Sequence, residues 1–236
     1  MKKALFLPMI LILALTVSAQ DMYLEYKMTG PLTGTTRMYT SAAGVRTEAD
    51  MNMPAVGMIK NVVIMPASKP NTVITVDEKA KTYTETTTNS SDLPAMRYEV
   101  KVVGKEKISQ YNCVHAIVNL NGQLAMEMWT SKDIPGYKDL LKMAKASSAV
   151  GSEDLYKQLE SKGATGMMVK MMTSAGANAM TMELVKVEKR TNPARLFSVP
   201  AGYSKGAAFD MNQIKNMTPA QRQKLLEDMQ KKYAKP

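Results

Sequence analysis

A mainly β (α+β) fold built on an antiparallel sheet is what the sequence predicts. Three observations carry it. Apolar and polar residues alternate in successive short segments, turn-forming residues separate those segments, and Asn121-Gly122 sits between two apolar runs. Over 21–30, Met22, Leu24, Tyr26 and Met28 alternate with Tyr23, Glu25 and Lys27, the period of a strand with one buried face. Strands of the same kind are expected at 35–40, 45–50, 58–65 and 72–76. Asp77 and Glu78 turn the chain into a strand at 81–87, and the polar stretch 88–94 separates it from another at 96–103. Strands spaced this closely make a meander rather than βαβ units.

Both residues of Asn121-Gly122 tolerate the positive φ of a type I′ turn, so a tight hairpin is expected with Leu120 opposite Gln123. Counting outward pairs Ile117 with Met126, His115 with Met128 and Cys113 with Thr130 on one face. Val114, Ala116, Val118 and Trp129 fall on the other. Both faces are apolar, as in a central hairpin covered on two sides.

After Pro135 the period lengthens. Tyr137, Leu140, Leu141 and Ala144 recur at helical spacing and predict a helix over 137–148. Ser152, followed by Glu153 and Asp154, is an N-cap with acidic residues in the first turn; it predicts a second helix over 152–162, with Gly163 as its left-handed cap. Strands resume at 166–173 and 179–189, and Leu196-Phe197-Ser198-Val199-Pro200 leads into a short final strand and turn. In the tail, Thr218, Pro219 and Gln221 form an N-cap, a first-position proline and a capping box. Leu225, Leu226, Met229 and Tyr233 then make an apolar stripe opposite Arg222, Lys224, Lys231 and Lys232. Such a helix suits docking on the sheet, on an envelope protein or on a membrane surface.

Lys2 and Lys3, the apolar run from Ala4 to Val17 and the small residues Ser18 and Ala19 read as a cleavable export signal over 1–19. The run is too short for a spanning helix, which needs about 20 residues. A domain at 20–205 and a C-terminal linker with an amphipathic helix at 206–236 are expected, in the periplasm or elsewhere outside the cytoplasm. The formal charge is +10 over 236 residues, but its lysines are scattered and no basic cluster is interleaved with aromatics, so no nucleic-acid partner is expected. Cys113 is the single cysteine and forms no internal disulfide.

The chemistry of common enzymes is missing from the sequence. One histidine, His115, removes arrangements built on several, and there is no phosphate loop, dinucleotide fingerprint or Gly-x-Ser-x-Gly elbow. The adjacent carboxylates Glu153 with Asp154 and Glu227 with Asp228 point in different directions on helices. A non-enzymatic protein without a cofactor is expected.

Methionine is the informative residue: 22 are present, against ten tyrosines, three phenylalanines and one tryptophan. Met51 and Met53, Met126 and Met128, and Met180 and Met182 are Met-x-Met pairs on strands, each placing two thioethers about 7 Å apart on one face. Three readings follow. Methionine fills gaps in a core; it lines a deformable apolar surface for a lipid or acyl chain; or it binds soft metal, with His115 beside Met126 and Met128 as a Cu(I) site.

Gly30, the run Gly44-Val45-Arg46-Thr47-Glu48, Gly104-Lys105-Glu106 leading to Tyr111-Asn112-Cys113, and Phe197-x-x-Pro200-x-Gly202-Tyr203 stand in an order that carries a resemblance. From about residue 22 to 205 the chain resembles a family of exported bacterial proteins known only as a domain of unknown function, similar in architecture to the lipoprotein carriers LolA and LolB. The resemblance implies a curved antiparallel sheet or unclosed half-barrel of about ten strands, with two helices in its concave face and a C-terminal helix. It implies a binding or carrier protein that holds an apolar ligand between sheet and helices, with Arg46 inside the cavity beside the methionines. Those carriers begin with a helix and line the cavity with aromatics, whereas this chain begins with a strand and offers methionine. The alternatives are the Cu(I) hairpin and a structural or interaction module of the cell envelope.

Overall fold

The computed structural model describes residues 21–53, 57–69, 71–87, 97–139, 141, 153–173 and 179–206, and positions 218, 220, 221, 223, 224 and 227. The proposed export signal lies outside them, as do most of the helix expected at 137–148 and the apolar stripe of the tail. One 12-stranded sheet organises the described chain. Its strands are β1 (Met22–Thr29), β2 (Thr33–Ser41), β3 (Gly44–Met53), β4 (Gly57–Pro66), β5 (Thr72–Asp77), β6 (Thr82–Thr87), β7 (Tyr98–Ile108), β8 (Tyr111–Leu120), β9 (Gln123–Ser131), β10 (Met167–Thr173), β11 (Met180–Lys189) and β12 (Ser204–Lys205). Their order is β12-β6-β5-β4-β3-β2-β1-β11-β10-β9-β8-β7, so β1 lies in the middle, between two meanders. Every pairing is antiparallel except β12 with β6.

The sheet is thus larger than the ten or so strands expected, with the two-residue β12 counted as its twelfth. Where the final strand was expected to begin, at Leu196, the chain instead forms a 3-10 turn, Ala194–Phe197, and β12 adds to the far edge after Gly202 turns the chain with φ of 83°. Strand β7 runs on to Ile108, past the expected end at 103, by absorbing a bulge between Val102 and Gly104. Helix α1 (Glu153–Ser161) forms within the expected span 152–162; the N-cap expected at Ser152 lies outside the described residues. Gly163, with φ of 69°, caps it while the Ala164 N–H bonds back to the Leu159 carbonyl at 2.8 Å. A short helical piece begins at 137–139. In the tail, the Gln221 N–H donates to Thr218 Oγ1 at 3.3 Å and the Thr218 N–H to Gln221 Oε1 at 2.8 Å, the reciprocal bonds of a capping box.

Residues paired across strands share a face, so the register divides the sheet into two surfaces. On one, Val62 and Ile64 of β4 and Ile74 and Val76 of β5 are buried under Phe197 of the 3-10 turn. On the other, α1 and Ala164 pack through Leu155 and Leu159 on Val100, Ala116 and Val118 of β7 and β8. A third cluster ties Met22, Leu24 and Tyr26 of β1 to Leu184, Val169, Met167 and Trp129, with Ile134 from the loop after β9. Tyr26 is 2% exposed, and its hydroxyl donates to the Met168 carbonyl at 3.1 Å; burial pushes its phenol well above its ordinary pKa.

Candidate functional site

Tracing the register across the sheet brings methionines from distant parts of the chain into one row. Met51 on β3 pairs with Gly34 on β2, and Gly34 with Met28 on β1. Met28 pairs with Met182 on β11, Met182 with Met171 on β10, and Met171 with Met128 on β9. The row is extended apolar at both ends, by Ile59 on β4 beyond Met51 and by Ala116 and Val102 beyond Met128. Five thioethers therefore lie on a single rung of one face, with strands about 4.8 Å apart. The next rung adds Met126, paired through Thr173 to Met180.

Gly34 interrupts the row for a steric reason. A Cβ there would meet the Asp50 carbonyl oxygen, so only glycine fits, and no side chain rises between Met28 and Met51. Met28 is 4% exposed, with its sulfur accepting from Thr36 Oγ1 at 3.6 Å, whereas Met51, Met126, Met128, Met171, Met180 and Met182 are half-buried. Helix α1 packs on the side of the row where Met126 and Met128 lie, and Gly136 closes on Met22 at another corner of the same face.

The opposite face is charged through its centre. Arg37 pairs with Asp50, Lys60 with Glu78 at 2.7 Å, and Lys186 with Glu188 at 2.8 Å. Tyr23 donates to Glu25, and burial, helped by that carboxylate, pushes its phenol up to about 12. The Asp50 hydrogen bond holds the Arg37 guanidinium above its ordinary pKa, and the Glu78 hydrogen bond raises the Lys60 ammonium. The methionine row therefore lies on the face away from these ion pairs.

The expected hairpin register is corrected by one residue. Asn121 and Gly122 take φ of 53° and 80° as a type I′ turn requires, and Leu120 pairs with Gln123. A bulge at Ala125 then shifts the count, so that Val118 pairs with Met126, Ala116 with Met128, and His115 with Trp129. A one-residue slip moves side chains to the other face. His115 therefore lies with Cys113 and Trp129, away from Met126 and Met128, and the Cu(I) constellation built on that histidine does not assemble. Its ring stacks on Trp129 at 4.1 Å between centroids, and Nε2 contacts Glu127 Oε2 at 2.9 Å. The Trp129 N–H donates to Glu106, and Lys170 stands 4.9 Å over the indole. Cys113 is buried with its thiol pushed up by desolvation.

Arg46 is likewise separated from the methionines. It pairs with Ile64 and Tyr39, on the face covered by the 3-10 turn. Its guanidinium donates to Glu48 Oε1 at 2.7 Å and to the Leu196 carbonyl at 3.4 Å, and sits 3.5 Å from Glu78. It clasps the C-terminal segment to the sheet. Of the three Met-x-Met pairs, Met126 with Met128 and Met180 with Met182 join the methionine face, as does Met51; the side chain of Met53 lies outside the described residues. Met28 and Met171 are the residues that the pairs leave out. They join the face only through cross-strand pairing, which adjacency in sequence does not signal.

The family model described as "Domain of unknown function (DUF4412)" matches residues 22–203. No curated protein matches the chain. Among solved structures, it is similar to an uncharacterized conserved protein from Thermus thermophilus, with 8% identity and a TM-score of 0.48 over 80% of this chain and 90% of that one. It is also similar to the lipoprotein LppX of Mycobacterium tuberculosis, with 8% identity and a TM-score of 0.36 over 74% and 89% of the two chains. For a chain of the Pseudomonas aeruginosa MucA/MucB complex the values are 10% and 0.37, over 75% of this chain and 55% of that one. At these identities the likeness concerns the fold alone.

Proposed function

The chain belongs to the DUF4412 family, a domain of unknown function, and we propose that it is a non-enzymatic, exported carrier that holds the acyl chain of a lipid against its methionine face. The observation that carries this reading is the rung of five thioethers on the face of the sheet away from its central ion pairs. A core sealed for stability alone is served by branched aliphatic residues in fixed rotamers. Flexible thioethers instead let an apolar wall re-pack around chains of different shape. The half-buried state of Met51, Met128, Met171 and Met182 leaves them contact area to give. Helix α1 forms one side of the binding region. Lys2, Lys3 and the apolar run behind them support placing the carrier in the cell envelope.

The test is native mass spectrometry of the protein purified from its own envelope without detergent, beside titration of the delipidated protein with a dansylated fatty acid. A discrete adduct extractable into organic solvent is expected, together with saturable probe binding weakened by Met182→Glu. A bare mass and a flat titration would sink the reading.

A further inference from the structure

We propose that a basic groove beside the C-terminal end of α1 binds a phosphate group, either the headgroup of an anionic lipid or the free anion. The groove measures about 590 Å³, within the range of ordinary ligand sites. Lys105, Lys107 and Lys132 line it together with Asn112 and Thr165. The register explains how the lysines gather. Val103 is the extra residue of the bulge in β7, so Lys105 comes to stand opposite Val114 and Lys107 opposite Asn112, while Val114 stands opposite Thr130. Without that extra residue, alternation would turn both lysines to the other face. Val114 and Thr130 lie two residues along their strands from Ala116 and Met128, so the groove is on the face of the methionine row, about 7 Å further on.

The charges along the groove are unbalanced. All three lysines are exposed, and among the described residues none of them forms an ion pair. The two carboxylates that border the groove are committed elsewhere. Glu106 accepts from the Trp129 indole and stands 3.5 Å from His115 Nδ1, on the opposite face. Asp133 accepts from the N–H and the side-chain amide of Asn112, both at 3.0 Å, and these bonds hold it below the usual carboxylate range. The last carbonyls of α1, whose partial charge repels an anion, are turned back into the helix cap. The Gly163 N–H bonds the Glu160 carbonyl at 3.0 Å and the Ala164 N–H the Leu159 carbonyl at 2.8 Å. Three ammonium groups along one concave surface focus their field on it and concentrate anions there. A phosphate has several oxygens, so it accepts from more than one lysine without the ammonium groups meeting at a point.

Assigning the phosphate to a lipid rests on the carrier reading above, whereas the lysine site does not. The test is calorimetric titration of the full chain with dihexanoyl phosphatidic acid, with dihexanoyl phosphatidylcholine, which has the same chains and no net charge, and with inorganic phosphate. The wild-type protein is expected to bind phosphatidic acid at least about tenfold more tightly than phosphatidylcholine. The combined Lys105→Gln, Lys107→Gln and Lys132→Gln variant is expected to lose that preference and to keep its phosphatidylcholine affinity and its urea midpoint. A control variant, Lys27→Gln with Lys189→Gln and Arg195→Gln, removes the same charge from exposed positions outside the groove and is expected to keep the preference. The proposal is overturned by a wild-type protein that binds neither phosphatidic acid nor phosphate, by equal affinity for the two lipids, by a lysine variant that retains the preference, or by a control variant that loses it. Inorganic phosphate that competes as well as phosphatidic acid makes the free anion the ligand, and phosphate that competes far more weakly makes it the lipid headgroup. A flat dansylated fatty-acid titration beside lysine-dependent phosphate binding strikes the carrier reading and leaves this site standing.

Discussion

The β4–β5 wing closes its core with Val62, Ile64, Ile74, Val76 and Phe197, whereas the centre of the sheet, from β9 through β10 and β11 to β1, lines one face with thioethers. The two regions also bury opposite faces of the same sheet. In the wing, β-branched side chains have one strongly preferred rotamer and pack against a fixed lid, the 3-10 turn held by Arg46. On the central face, unbranched side chains remain half-buried. Rigidity is concentrated where the chain seals itself, and adaptability where a surface stays available.

Four measurements sharpen or break that contrast. Phe197→Ala is expected to cost about 3–5 kcal/mol in urea unfolding, because it empties the lid of the wing, and to leave fatty-acid affinity at the methionine face unchanged in the surviving folded protein. Arg46→Ala is expected to cost about 3 kcal/mol, since it strands Glu48, whose side chain is only 15% exposed. A loss below about 1 kcal/mol would show that the clasp contributes little. Met128→Leu is expected to cost less than about 1.5 kcal/mol, as a volume-conserving change on an adaptable surface; a cost like that of Phe197→Ala would mark the face as sealed core and erase the contrast.

The smallest effect concerns Tyr26. Its folded phenol is raised above the ordinary value of 10 by burial, so its stabilising contribution is fully present below pH 10 and is lost as pH rises beyond it, where only the unfolded chain ionises readily. Unfolding midpoints measured from pH 8 to 11 should fall at the alkaline end. Tyr26→Phe should flatten part of that fall and cost about 1 kcal/mol at pH 8 through the lost bond to Met168.

Much of the fold was legible in the sequence, because strand alternation and turn chemistry are local. Asn121-Gly122 specified its turn, Gly163 its helix cap, and Thr218 with Gln221 their capping box. The register beyond the turn was not, because the bulge at Ala125 is a tertiary accommodation with no residue that announces it. That one residue moved His115 from a supposed metal site to a stack on Trp129. The candidate site was half legible: Met126, Met128, Met180 and Met182 were marked by adjacency, yet their alignment with Met28 and Met51 depends on pairing between strands far apart in the chain, β1 with β11 above all. Arg46 could not be placed by alternation alone, since what decides its role is the segment at 194–197 that folds over it.

At β7 the sheet meets its outer limit in an unusual way. Gln158 of α1 accepts from the Val100 N–H at 3.0 Å and donates to the Tyr98 carbonyl at 2.7 Å. Its side-chain amide thus occupies the positions that a thirteenth strand's peptide group would take. A row of open backbone groups is a template on which further chains can grow. One glutamine therefore acts as a chain terminator at these two positions, and the helix that flanks the methionine face also caps the start of the sheet's open edge.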